Sequence, residues 1–360
     1  MTTVVVAMSG GVDSSVAAAL LKEQGYDVIG MMLRLWSEHG KEDSNRCCTP
    51  DSMAQARRVA AKLDIPFYVI DAKDVFHNTV VQYFLDGYAR GETPNPCLIC
   101  NRQIRWTFLL DHALAFGADF MATGHYVRIR KSEDGYQLLR AVDRSKDQSY
   151  VLHVLNQEKL ARALFPIGDY PKTEIRAIAE KFGLPTASRK DSQDLCFLAG
   201  EDYRNFLQRN AAEIPKPGEI LTRDGKSIGE HTGLANYTIG QRKGLGVASL
   251  VPLYVLGKDP ANNTLIVGTH EELGSRELTA RDVNWLSGET PRDPFRAEVK
   301  IRYTAKEAAA LVTPMNGNQA SPELDRRVQV QFDASQRDIT AGQAAVFFQG
   351  DVMIGGGIIL

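Results

Sequence analysis

The chain is short of several things, and each shortage excludes something. It has five cysteines in 360 residues, Cys47, Cys48, Cys97, Cys100 and Cys196, too few and too irregularly spaced for a secreted disulfide framework. They read instead as thiols with chemistry. No apolar run approaches the roughly 18 residues of a membrane span, so no membrane association is expected. The N-terminus, Met-Thr-Thr followed directly by Val4-Val5-Val6-Ala7, lacks a basic leader and a cleavage site, and a cytoplasmic protein is expected. There is no low-complexity tract and no internal repeat, and 44% hydrophobic with 24% charged residues is the balance of an ordinary globular protein. Net charge is also nearly absent, at −2, which argues against a nucleic-acid partner only if charge is spread evenly. Locally it is not: basic clusters stand at Arg102 and Arg105, at Arg128, Arg130 and Lys131, at Arg189-Lys190 and at Arg242-Lys243. Taken alone, such clusters are as readily solvated faces as binding surfaces.

A length of 360 residues exceeds the roughly 250 to 300 at which a single core stops growing, so two or three domains are expected. Val4 to Met8 is a short β-branched run ending in Ser-Gly-Gly, and Ser14 to Lys22 continues with Ala/Leu-rich helical character. The alternation repeats, with strands at Asp27 to Leu33, Phe67 to Asp71 and Phe120 to Thr123 and helices at Ser52 to Leu63 and Arg102 to Phe116. This spacing predicts an α/β domain over residues 1–205, a parallel sheet with helices on both faces. Beyond about Asn210, glycines and short apolar segments such as Tyr254 to Leu256 and Thr264 to Val267 predict a small β-rich domain at 206–277. Strands at Phe295 to Tyr303, Arg327 to Phe332 and Ala344 to Phe348, with Gly355-Gly356-Gly357 near the end, predict a barrel-like domain at 278–360.

A glycine pair between a hydrophobic strand and a helix gathers backbone N–H groups and the positive helix end around one point, which suits a phosphate or pyrophosphate. Ser9-Gly10-Gly11-Val12-Asp13-Ser14 has that placement. It is neither G-x-x-x-x-G-K-S/T nor G-x-G-x-x-G, so neither a P-loop kinase nor a dinucleotide site is indicated, and the lysine that would hold a γ-phosphate is missing. Ser9 and Ser14 offer hydroxyls, and Asp13 a ligand for Mg²⁺. The loop resembles that of the PP-loop ATP pyrophosphatases. That family cleaves ATP between its α and β phosphates to activate a substrate oxygen as the adenylate, and its members include tRNA thiolases, argininosuccinate synthetases and GMP synthetases.

The nucleophile that follows activation is what separates those enzymes. Asn95-Pro96-Cys97-Leu98-Ile99-Cys100-Asn101 lies at a proline-containing turn before an arginine-bearing helix, where a thiol is expected to have a lowered pKa. No second C-x-x-C or His-x-His pair accompanies it, which argues against a structural zinc. Cys196 closely follows the polar run Ser188 to Asp194, favouring an exposed thiol over a buried small hydrophobe.

Taken in order, the loop, Asn-Pro-x-x-x-Cys-Asn, Thr123-Gly124-His125-Tyr126, Lys146-Asp147-Gln148-Ser149, Lys190-Asp191-Ser192 with Cys196, and Gly240-Gln241-Arg242-Lys243-Gly244-Leu245-Gly246 resemble the bacterial tRNA-specific 2-thiouridylases along essentially the whole chain. The resemblance implies ATP with Mg²⁺, a tRNA partner and a sulfur-relay or cysteine desulfurase protein as persulfide donor. It implies that Ala7, Met8, Ser9, Gly10, Gly11, Val12, Asp13 and Ser14 hold the phosphates, that Leu33 packs near the adenine and that Gly124 closes the pocket. It places Asn95, Pro96 and Cys97 at the target base, and His125, Lys146, Asp147, Gln148, Arg302, Tyr303 and Gln343 on tRNA. A lone histidine is more often a satisfied core residue; its place in Thr-Gly-His-Tyr favours the contact. Cys100 is implied as nucleophile and Cys196 as the persulfide carrier, with a Cys100–Cys196 disulfide formed on release. One common form of the family has an aspartate where Cys97 stands, which leaves open a different mechanism in which Cys97, Cys100 and Cys196 ligate an iron-sulfur cluster. Cys47 and Cys48 are expected to be structural, near the nucleotide. Two other readings stay open: another PP-loop ligase or amidotransferase with incidental cysteines, and a non-catalytic nucleotide or tRNA binder.

Overall fold

The structure, a computed structural model, describes residues 1–41, 49–189, 195–198, 200–211, 216–315 and 326–360. Cys47, Cys48 and Lys190-Asp191-Ser192 lie outside the described residues. The N-terminal part runs β1 (Thr3–Ala7), α1 (Val12–Glu23), β2 (Asp27–Arg34), α2 (Pro50–Leu63), β3 (Phe67–Asp71), α3 (Lys73–Phe76), a π-turn (His77–Val81) and α4 (Gln82–Ala89). It continues with α5 (Pro96–Ile99), a ten-residue π-helical stretch (Cys100–Leu109), α6 (Leu110–Ala115), β4 (Phe120–Thr123), the hairpin β5 (Val127–Ser132) and β6 (Gly135–Arg140), α7 (Gln157–Leu160), β7 (Ala163–Leu164), α8 (Lys172–Lys181) and α9 (Tyr203–Asn210).

The sheet order is β3-β2-β1-β4-β7, with parallel pairs throughout. Val4, Val5 and Val6 are wholly buried, as expected of a central parallel strand covered on both faces. Their alternation divides the core. Val4 and Val6 face a cluster with Ala17 and Ala18 of α1, Val59 of α2 and Ile175 of α8, while Val5 faces Trp106 and Leu109 of the π-helical stretch. Helices therefore cover both faces of a doubly wound sheet. Sequence order reverses at β1, between β2 and β4, where the loops after β1 and β4 meet, as ligand sites in this architecture require.

Four strands, β8 (Gly218–Thr222), β9 (Ser227–His231), β10 (Tyr254–Asp259) and β11 (Thr264–Gly268), form the middle sheet in the order β10-β11-β8-β9. The last six, β12 (Ser275–Trp285), β13 (Phe295–Lys300), β14 (Ala308–Met315), β15 (Arg327–Gln336), β16 (Ala344–Gln349) and β17 (Val352–Ile359), close into a barrel through pairing of β12 with β17. The glycine run explains the closure. A Cβ on Gly355 would stand 2.5 Å from the Asn284 carbonyl oxygen and one on Gly357 2.7 Å from that of Arg281, so only glycine lets β12 and β17 approach.

The barrel is less separate than its sequence implies. Leu286, Ala344, Val346 and Phe348 belong to the same buried cluster as Val5 and Trp106 of the α/β domain. The β5–β6 hairpin leaves the parallel sheet to pair with β17 at Leu139–Val352. Arg140 pins this junction: its guanidinium lies 3.9 Å over the Phe348 ring and reaches Glu307 at 2.6 Å and Glu298 at 3.2 Å.

Candidate functional site

Gly10 has φ +73, and a Cβ there would lie 2.2 Å from the Ser52 carbonyl oxygen of α2, so the position admits glycine alone. Gly11 is the N-cap of α1 and no side chain caps that helix, which leaves the amides of its first turn to an anion. Ser9 and Ser14 are joined, the Ser9 N–H donating to Ser14 Oγ at 3.2 Å and the hydroxyls lying 3.2 Å apart. From the far side, Gly124 presses on the loop: a Cβ there would meet the Ser14 nitrogen at 2.6 Å and the Asp13 carbonyl carbon at 2.7 Å. Leu33, on β2, is half-buried beside the loop's sheet. These loop residues and Gly124 are thus one assembly.

Asp13 departs from expectation. Its carboxylate accepts Lys172 Nζ at 2.7 and 2.9 Å and the Tyr126 hydroxyl at 2.8 Å, so it is turned to a protein cation and not offered as a Mg²⁺ ligand. Lys172 is 8% exposed, at the first position of α8 after Pro171. The sequence reading missed it. Pro171 followed by Ile175 and Ala179 at helical spacing marks the start of α8 in the sequence, but not the partner that its first lysine meets.

The thiol-bearing turn is built from its cap. Asn95 Oδ1 accepts the Cys97 N–H at 3.1 Å and Pro96 sets the first helical φ, so the helix starts six residues before the expected Arg102. At Cys100 the backbone widens to π geometry, and at the end of the stretch the Leu110 N–H donates to the Arg105 carbonyl five residues back. Cys97 is exposed, and Cys100 and Cys196 are half-buried. Distant in sequence, Cys100 and Cys196 pack against one apolar cluster that Leu33 also borders. Among the described residues no three His, Cys, Asp or Glu side chains are gathered closely enough to hold a metal ion.

The barrel braces this turn. Gln343 Nε2 donates to the Thr93 carbonyl at 2.7 Å, and the Thr93 N–H donates to the Ala341 carbonyl at 2.8 Å. Tyr303 is 43% exposed with its ring 6.3 Å from that of Tyr150; burial raises its pKa, with Asp147 and Cys97 adding in the same direction. Arg302 donates to Thr340 Oγ1 and to the Ile239 carbonyl. Together with Arg204, Gln241 and Lys243 it lines a cavity of about 490 Å³ between the middle sheet and the barrel. So Asn95 to Cys97, Tyr303 and Gln343 converge, with Arg302 beside them. Lys146 and Gln148 are half-buried, and Gln148 Oε1 accepts the Tyr126 N–H at 3.0 Å. Direct side-chain contact with tRNA does not fit two of the expected residues. Asp147 is 6% exposed and accepts the Ala141 N–H and the Ser149 hydroxyl; His125 is 5% exposed between Arg105 and Thr123.

Fold and loop together define an ATP-using PP-loop protein. The family described as tRNA methyl transferase HUP domain matches residues 2–200, the tRNA methyl transferase PRC-barrel domain residues 204–269, and the aminomethyltransferase beta-barrel domain residues 275–359. The tRNA-specific 2-thiouridylase MnmA of Moorella thermoacetica is 49% identical over 98% of this chain and 98% of its own. MnmA 1 of Caldanaerobacter subterraneus subsp. tengcongensis, of the same description, is 48% identical over 99% of this chain and 97% of its own. The chain belongs to the tRNA-specific 2-thiouridylase family. Among solved structures, the U34-tRNA thiolase NcsA from Methanococcus maripaludis with its 4Fe-4S cluster aligns with 58% of this chain and 63% of its own at 19% identity and a TM-score of 0.35, too loosely to transfer any residue's role.

Proposed function

We propose that this chain carries out ATP-dependent 2-thiolation of the wobble uridine of tRNA anticodons. In this reading Ala7 to Ser14 hold the ATP phosphates, Leu33 borders the adenine, and Gly124 closes the pocket by its packing on Ser14. Mg²⁺ enters with ATP, and no side chain is assigned to it. Lys172, through its ion pair with Asp13, fixes the first turn of α1 beneath the phosphates. The uridine is extruded toward Asn95, Pro96 and Cys97. Its C2 oxygen attacks the α-phosphate, the α–β bond breaks and pyrophosphate leaves, so the carbonyl oxygen becomes a good leaving group.

Cys196, loaded as a persulfide by a sulfur-relay or cysteine desulfurase protein, attacks C2 with its outer sulfur, and AMP departs with the oxygen. Cys100 then attacks the Cys196 sulfur, which breaks the sulfur–sulfur bond, frees the thiolated base and leaves a Cys100–Cys196 disulfide for an external dithiol to reduce. Tyr303, Gln343, Arg302, Lys146 and Gln148 line the tRNA path, while Asp147 and His125 act from beneath it.

One observation supports this reading above the others: Leu33, Cys100 and Cys196 pack against the same apolar cluster. Purified Cys100→Ser, given tRNA and a persulfide donor, should still form AMP and pyrophosphate while making no 2-thiouridine. Thiolation by that variant at the wild-type rate removes Cys100 from the mechanism.

A further inference from the structure

Between the nucleotide loop and the thiol-bearing turn runs a line of buried polar groups. Asn101, 2% exposed, donates from Nδ2 to the Cys97 carbonyl at 3.0 Å. Its Oδ1 faces Arg105 Nη1 at 3.4 Å, and the same Nη1 lies 3.0 Å from His125 Nε2. His125 Nδ1 lies 2.7 Å from Thr123 Oγ1. A guanidinium has no acceptor, so Nε2 must accept and the ring proton must sit on Nδ1, donating to Thr123. His125 is therefore neutral, consistent with burial and the adjacent Arg105 charge, both of which push its pKa far below 6.5. Thr123 ends β4, and Gly124, the next residue, is the one packed against the Asp13–Ser14 backbone.

The geometry points to His125 and Arg105 as positioning residues: through Thr123 on one side and Asn101 on the other, they fix the Cys97–Cys100 turn relative to the pyrophosphate loop. This rests on the reading of Cys100 as a reacting thiol. The device suits a two-stage reaction. Adenylation happens at the loop and sulfur attack at the turn, and both must address one C2 atom, so a small error in their spacing is costly to the second stage.

Three variants test it. His125→Leu keeps the approximate volume and removes both hydrogen bonds; His125→Gln offers an acceptor to Arg105 and a donor to Thr123; Thr123→Val leaves the Nδ1 proton without its partner. In single turnover, His125→Leu and Thr123→Val should lower the rate of sulfur insertion about tenfold to a hundredfold, the range for stranding a buried partner. The KM for ATP and the Kd for tRNA should stay within about twofold on that account, and His125→Gln should recover most of the rate. Peptide-resolved alkylation by iodoacetamide gives a second readout that needs no thiolation: Cys97 and Cys100 should change reactivity by about threefold or more in His125→Leu, with Cys196 unchanged. A loss appearing only as weaker tRNA binding would instead make His125 a tRNA contact. Unaltered thiol reactivity in His125→Leu, or a His125→Gln as impaired as His125→Leu, overturns the positioning role. A wild-type enzyme that makes no 2-thiouridine would sink the proposed function, while the alkylation result would still decide the role of His125.

Discussion

Gly10 is the residue on which the nucleotide site depends most. Its positive φ and the 2.2 Å approach to Ser52 mean that Gly10→Ala must move either the loop or α2. Far-UV circular dichroism should be unchanged while tRNA-dependent pyrophosphate release falls more than about tenfold. Lys172→Met removes a buried cation and leaves the Asp13 carboxylate uncompensated, at a cost of about 1–3 kcal/mol in denaturant unfolding. Adenylation should be lost with it, since among the described residues the Tyr126 hydroxyl is then left as the hydrogen-bond donor to that carboxylate. A variant that releases pyrophosphate at the wild-type rate would contradict this role.

His153 supplies a pH handle. It is 1% exposed, donates from Nδ1 to the Tyr150 carbonyl, and burial lowers its pKa from 6.5 to about 4. The unfolded chain therefore takes up this proton first as pH falls, so the contribution is intact above about 6.5 and is lost between there and about 4, on the order of 3 kcal/mol. His153→Gln should flatten the fall in melting temperature across that window; an unchanged slope would contradict it. At this scale the sequence was informative wherever a residue type has a single use. Glycine at a strand–helix turn and cysteine near a cap declare themselves. The partner of Asp13 does not, because Lys172 arrives from a helix 159 residues away, and no local pattern records that pairing. His125 looked like a surface contact because its motif was legible and its burial was not.

Among the elements, strands and helices of the parallel sheet follow directly from β-branched runs and capped apolar spacing, and Phe67–Asp71 and Phe120–Thr123 fall where expected. The helix at residues 96–115 is different. Its apolar spacing is compatible with α-helix, and nothing in that spacing marks the π-helical register found at Cys100–Leu109. The start was readable, since Asn-Pro is an N-cap followed by a favoured first residue. Asn95→Ala should cost about 1 kcal/mol in chemical denaturation, and hydrogen exchange should speed up at the amides of Cys97 and Leu98 first. Uniform exchange along residues 96–115 would show that the cap does not hold this turn. The β5–β6 hairpin was hidden for another reason: its Arg128, Arg130 and Lys131 read as a charged surface. In fact Arg128 reaches Asp351 at 2.6 Å, anchoring the hairpin to the barrel.

For the whole molecule, the shared core changes what a truncation means. A C-terminal domain that merely grips tRNA could be removed with ATP binding intact. Here Leu286, Ala344, Val346 and Phe348 fill the same cluster as Trp106 and Tyr150, and the barrel holds Thr93 beside the Asn95–Cys97 turn. Removing residues 275–360 should therefore leave an α/β fragment that is protease-sensitive and does not bind ATP. A stable, ATP-binding fragment would show that the two parts fold independently. Arg140→Met is the milder version, expected to raise proteolysis at the β5–β6 hairpin by uncoupling it from Glu298 and Glu307.

The proposed reaction activates a uridine oxygen at the Ser9–Ser14 loop and replaces it with sulfur passed between Cys196 and Cys100. Mass spectrometry of nucleosides from tRNA incubated with purified protein, ATP and a persulfide donor tests it most directly. 2-Thiouridine should appear at the wobble position in step with AMP, and Cys100→Ser should give AMP without 2-thiouridine. Wild-type protein that yields no thiolated uridine under these conditions, or Cys100→Ser that yields it normally, would contradict it.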